Sequence, residues 1–162
     1  AKWLFGVNTN IEVIVHAQSI IHLMIEFVDP SIIAQLGIPD MRVPIAYALT
    51  YPDRFVSELP SLDLASMSDL TFEAPDLERF PCLQLAMDAM KIGETMPAVL
   101  NAANEVAVQA FLEEQIPYKE ISEIIRMVMH NHRPVTLKEI QSILDADLWA
   151  REESTKIIAV PH

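Results

Sequence analysis

Two histidine pairs are the first places where this chain could do chemistry. His16 and His22 stand in a stretch rich in isoleucine and valine, and a neutral imidazole there could contact a substrate or a phosphate. The plainer role is a hydrogen-bonded structural histidine, since buried imidazoles are regularly absorbed into polar networks. His130 and His132 flank Asn131 at an expected helix end. An imidazolium there offsets the negative pole of the helix, so capping is the expected role. A small metal-binding protein built on this pair would need a third ligand, and none stands at a convincing spacing.

The other reactive side chains point the same way. Cys82 falls on an apolar stripe beside a helix start, which suggests an inert core thiol rather than an activated one. Glu113-Glu114 and Glu152-Glu153 read as solvated faces, and Asp145 and Asp147 read as turn and cap residues rather than cation ligands. Asn101 and Asn104 lie in a very apolar helix, where amides should bond to neighbouring backbone and fix the arrangement of helices. Glycine occurs only at 6, 37 and 93, so neither a dinucleotide fingerprint nor a P-loop can be built. No complete catalytic set is present.

The elements that must carry these residues follow from periodicity. Ile11–His16 and Ser19–Phe27 are β-branched runs. Asp29-Pro30-Ser31 supplies turn chemistry, and Ile32–Leu36 completes a hairpin. In the second run Ile21, Leu23, Ile25 and Phe27 share a core face, and His22, Met24 and Glu26 share the more available one. From Asp40, a candidate cap, a helix runs to about Tyr51. Residues 52–80 contain Pro52, Pro60 and Pro75 with seven acids against two bases. They read as a surface linker with a short strand at Leu70–Glu73.

The remainder is helical. Pro81 opens a helix that ends at Gly93, and Thr95 caps the next with Pro97 in its first turn. Another helix spans Tyr118 to about Asn131. Thr136 to Glu139 forms a capping box ahead of Ile140, Ile143 and Leu144, and Asp147 caps a last helix. The expected fold class is α+β, antiparallel strands followed by a linker and a helical bundle.

Composition bounds the function. The 162 residues are 51% hydrophobic with a net charge of −12, enough for one domain or two small ones. Acids outnumber bases 23 to 11, which argues against nucleic acid as a partner. No apolar run reaches the ~18–20 residues of a membrane span, because Glu12, His16, Glu26 and Asp29 interrupt it. A single cysteine excludes an internal disulfide framework and fits a reducing compartment. The chain opens at Ala1 in what reads as mid-element sequence, with no secretory or transit signal.

Several uncommon strings carry a resemblance. Gly37-Ile38-Pro39-Asp40-Met41-Arg42-Val43-Pro44-Ile45-Ala46, continuing to Tyr51-Pro52-Asp53-Arg54, resembles a signature of the 1-deoxy-D-xylulose 5-phosphate reductoisomerase family. His16-Ala17-Gln18-Ser19-Ile20-Ile21-His22 is similar to its histidine-rich strand region. Leu70 to Asp76 with Arg79 to Leu83 is similar to its linker, and Pro97 to Val108 to one of its helices. Ala17, where the family usually has proline, and Leu23, where serine is common, depart from the pattern.

The resemblance implies an NADPH-dependent enzyme that uses Mg²⁺ or Mn²⁺ to convert 1-deoxy-D-xylulose 5-phosphate into 2-C-methyl-D-erythritol 4-phosphate, in non-mevalonate isoprenoid synthesis. It implies a homodimer in the bacterial cytoplasm or plastid stroma. It places residues 1–50 at the end of a catalytic and dimerisation domain, 51–80 in a linker and 81–162 in a four-helix-bundle-like C-terminal domain. The dinucleotide fingerprint and metal carboxylates would lie upstream of Ala1. The chain would then be shortened by design or by proteolysis, would hold no catalytic or metal residue and would be inactive alone. Pro39 and Met41 match residues that lie against the nicotinamide ring, and His22 matches one that borders the substrate site. The alternative is a non-catalytic interaction module that keeps this fold without its chemistry.

Overall fold

Proline and glycine set most element boundaries. Pro81 opens α3 (Pro81–Ile92), where its missing N–H is not needed, and Gly93 closes it at φ +72° with its N–H on the Ala89 carbonyl. A side chain at Gly93 would have room but would be held in a backbone conformation that L-residues avoid. Pro97 sits in the first turn of α4 (Met96–Leu112), and Pro117 precedes α5 (Glu120–Asn131). The structure, a computed structural model, describes residues 2–6, 10–67 and 69–159. Within it α1 is Lys2–Phe5, β1 Ile21–Glu26, β2 Ile32–Leu36, α2 Arg42–Thr50 and α6 Ile140–Ile158. Ala1, the first residue of the expected mid-element opening, lies outside the described residues. The chain divides into two units, Ala1–Pro75 and Asp76–His162.

The second unit holds the core. α4 is its centre, with α3, α5 and α6 each packed on it. Val99, Ala102, Ala103 and Ala107 of α4 are fully enclosed, with Ile124, Ile125 and Val128 of α5 and Ala150 of α6. The run of small residues on α4 and α6 lets those two backbones approach closely. Arg151 spans the same pair. Its Nη2 donates to Glu105 Oε2 at 2.6 Å, and its Nε donates to Asp147 Oδ2 at 2.7 Å. The guanidinium holds the Glu105 carboxyl below its usual range.

Several expectations for this unit are corrected. α6 is one helix, so Asp147 is not a cap but an i,i+4 partner of Arg151. The capping box does not form: Thr136 donates instead to Glu94 Oε1, and Glu139 makes no capping bond. Ile140 and Leu144 are 75% and 54% exposed, while α6 buries Ala146, Ala150 and Ser154. Cys82 is exposed, one turn before the buried Leu85. Asn101 bonds to Glu105 on the surface rather than to backbone.

The first unit is built differently. β1 and β2 pair antiparallel around the connection 27–31, with an irregularity between Ile21 and Leu23. This sheet plus the helices gives the α+β class expected from the sequence. Ile11–His16 is not a strand; only Val15 bridges, to Glu73, and Leu70–Glu73 forms no strand of its own. None of the unit's described residues is fully buried, and the expected core face is open, with Leu23 50% and Ile33 61% exposed. The unit boundary after Pro75 falls inside the stretch read as a linker, because 69–73 is bound to 15–18.

Candidate functional site

The irregularity in β1 turns His22 toward the end of β2. Its Nε2 lies 2.9 Å from the Ser19 carbonyl. A carbonyl only accepts, so Nε2 carries the proton and Nδ1 is left as the acceptor. The ring flanks Gly37, where an added Cβ would meet His22 Cε1 at 3.8 Å and Gln35 Nε2 at 3.4 Å. Gly37 N–H donates to the Ile20 carbonyl at 3.0 Å. His22 is therefore joined to the opening of the loop that carries Pro39 and Met41.

That loop enters α2 through Asp40. Asp40 Oδ1 accepts the Arg42 amide at 2.9 Å, and Oδ2 accepts Arg42 Nη2 at 2.6 Å. These bonds hold the Asp40 carboxyl down to about 2. The cap expected at Asp40 is corrected: Met41 is the N-cap, with no side-chain capping bond, and Asp40 instead braces Arg42, the first helical residue. Pro39 is exposed, and Met41 is 69% exposed. An open, polarizable thioether suits contact with a flat aromatic ring.

His16 behaves as a structural histidine. Nδ1–H donates to the Thr71 carbonyl at 2.8 Å, and the ring stacks on Phe72 at 4.8 Å. Gln18 bonds to the same Thr71 through both its side-chain atoms. Neither Gln18 nor Thr71 carried any local sequence signal.

His132 is the C-cap residue of α5, its N–H on the Val128 carbonyl, but burial disfavours the charged ring. Burial holds its imidazole below the ordinary range, and its Nε2 lies 2.8 Å from Thr95 Oγ1, with Trp149 5.0 Å from the ring. Thr95 Oγ1 also accepts the Val135 amide at 3.0 Å. Thr95 makes no capping bond to α4 and instead ties the α3–α4 turn to the segment after α5. The unfolded chain takes up this imidazole proton near 6.5 and the folded chain only at lower pH. The stabilisation is thus complete above the ordinary value and is lost as pH falls below it. The unfolding midpoint of the helical unit is expected to drop as pH falls below 6.5, and His132→Gln should remove that part of the drop. A drop of equal size in the variant would assign it to other groups.

Among the described residues no three His, Cys, Asp or Glu side chains gather closely enough to hold a metal ion. No described helix is long and apolar enough to cross a membrane.

Residues 36–153 match the family model of the DXP reductoisomerase C-terminal domain. The chain belongs to this family. It is 54% identical over 159 residues to 1-deoxy-D-xylulose 5-phosphate reductoisomerase of Pelotomaculum thermopropionicum, covering 98% of this chain and 41% of the relative. Against that of Acetivibrio thermocellus it is 56% identical, covering 98% and 42%. Among solved structures, the Zymomonas mobilis reductoisomerase in complex with NADPH matches with a TM-score of 0.84 and 42% identity, over 93% of this chain and 40% of that one. A DOX-P reductoisomerase with NADPH, fosmidomycin and magnesium matches at TM-score 0.80 and 38% identity, covering 90% and 38%. The chain thus spans about two fifths of the length of the reductoisomerases it matches. The resemblance in Gly37–Ala46 and Pro97–Val108 holds at the level of family and fold. Pro39 and Met41 lie within the matched stretch, and His22 lies before it.

Proposed function

We propose that this chain is the C-terminal portion of a 1-deoxy-D-xylulose 5-phosphate reductoisomerase, which forms 2-C-methyl-D-erythritol 4-phosphate with NADPH and Mg²⁺ or Mn²⁺. The observation that carries this reading is identity above 50% to such enzymes along nearly the whole chain. In this reading residues 1–50 end a catalytic and dimerisation domain, 51–80 link, and 81–162 form the C-terminal helical domain.

NADPH, when bound, supplies the hydride. Pro39 and Met41 form one wall against its nicotinamide ring, kept in place by the Asp40–Arg42 pair at the start of α2. His22, fixed by Ser19, borders the substrate side. In this reading the cation's ligands belong to the part of the reductoisomerases that this chain does not match. The open strand face with Leu23, Ile25 and Ile33 supports pairing with a second copy as a homodimer. The bacterial relatives and the single cysteine support a cytoplasmic setting.

The test is a chimera in which this chain replaces the matching C-terminal part of the Pelotomaculum relative. It is expected to turn over substrate with NADPH and to sediment as a dimer. Met41→Ala should raise KM for NADPH by about three- to tenfold with little change in kcat, as loss of a ground-state contact does. A folded chimera without turnover would favour a module that keeps only the fold.

A further inference from the structure

We propose that the extended stretch 69–73 is a strap that positions His22: by clamping the turn His16–Ser19 through Thr71, it fixes the carbonyl that orients the His22 ring. This rests on the reading of His22 as a residue bordering the substrate site.

The turn does not hold itself. It is closed by a single backbone bond, Ser19 N–H to the His16 carbonyl at 3.1 Å. Ser19 sits at φ +52°, the left-handed region that disfavours a residue with a Cβ. Such a conformation persists only where the surroundings over-determine it. Those surroundings are the strap.

Every polar group of Thr71 is committed to the turn. Its carbonyl accepts His16 Nδ1–H at 2.8 Å, and its N–H donates to Gln18 Oε1 at 3.3 Å. Its hydroxyl accepts Gln18 Nε2–H at 2.9 Å and donates to Gln18 Oε1 at 3.1 Å. Gln18 Nε2 also reaches the Asp69 carbonyl at 3.2 Å. Phe72 stacks on His16, and Val15 and Glu73 exchange backbone bonds at 2.9 Å. His16 is kept in this place although its Nε2 is buried without a partner. A passing linker needs none of these bonds.

The turn hands its geometry on directly. The Ser19 carbonyl accepts His22 Nε2–H at 2.9 Å, and the next carbonyl, of Ile20, accepts Gly37 N–H at 3.0 Å. A rotation of the Ser19 peptide would free the His22 ring and loosen the loop leading to Pro39 and Met41. Gln18 and Thr71 are thus positioning residues, acting through backbone on a ring neither of them touches.

The test reads the ring itself. In the 162-residue chain labelled with ¹⁵N-histidine, long-range ¹H–¹⁵N correlation should show His22 with a protonated Nε2 and a bare Nδ1. Gln18→Leu and Thr71→Val should each move His22 to a tautomer-averaged signature, while Thr71→Ser retains the original. Unfolding of the helical unit, which lacks these residues, should stay unchanged and serves as the folding control. An unaltered His22 signature in both Gln18→Leu and Thr71→Val overturns the proposal.

A kinetic arm in the chimera separates the two readings. Gln18→Leu should lower kcat by about tenfold with less effect on KM, and adding it to His22→Ala should cost nothing more, since both remove one function. Additive losses would overturn the strap's action through His22. Unchanged kcat in His22→Ala, with the spectroscopic result as expected, would remove the border role and leave the strap standing.

Discussion

Given 1-deoxy-D-xylulose 5-phosphate, NADPH and Mg²⁺ or Mn²⁺, the 162-residue chain alone is expected to turn over nothing above background. Enzymatic rate enhancement requires about 8–23 kcal/mol of transition-state stabilisation. On the proposed reading this chain offers one wall for a flat ring and one oriented imidazole. A dinucleotide fingerprint or a P-loop needs a glycine-rich turn, and the glycines stand far apart at 6, 37 and 93. Polarising a carbonyl needs a held cation, and no three candidate ligands come together among the described residues. Met41, Leu23 and Ile33 are each at least half exposed, so the surfaces that would exclude water lack their opposite sides. A steady-state assay following NADPH absorbance checks this, and turnover by the isolated chain would refute the assignment of the missing functions to other residues.

Ile125→Ala lowers the stability of the helical unit by about 2–5 kcal/mol, a large share of the ~5–15 kcal/mol typical of a domain. Ile125 is 2% exposed and sits among α4 and α5 side chains whose backbones cannot collapse to fill the vacated space. Urea titration should show a lower midpoint with an unchanged slope. In the same chain Ile33→Ala should shift stability by no more than about 0.5 kcal/mol, because Ile33 is 61% exposed and leaves no cavity. The contrast between two isoleucines locates the core. Equal losses would mean that the hairpin face is covered in solution.

Local pattern made much of the helical unit legible. The spacing Ile121, Ile124, Ile125, Val128 marks the buried face of α5, and all four are buried. Pro81, Gly93 and Pro97 mark helix ends for reasons contained in single residues. The errors lie where a side chain had several possible partners. Thr95 and Thr136 both carry a capping hydroxyl, yet one serves His132 and Val135 and the other serves Glu94. Alanine and serine rather than Ile140 and Leu144 face the core from α6, since closeness to α4 favours small side chains over greasy ones.

The candidate site divides the same way. Strings such as Gly37–Met41 establish the family, and the Asp40–Arg42 brace depends on neighbours two residues apart. No local rule could join Gln18 to Thr71, separated by more than fifty residues of chain. The sequence by itself determined where most of the helices lie and which family the chain belongs to. Only the tertiary structure decided which hydroxyl, amide or ring meets which, because a polar side chain takes the partner that folding brings within about 3 Å, however distant in sequence.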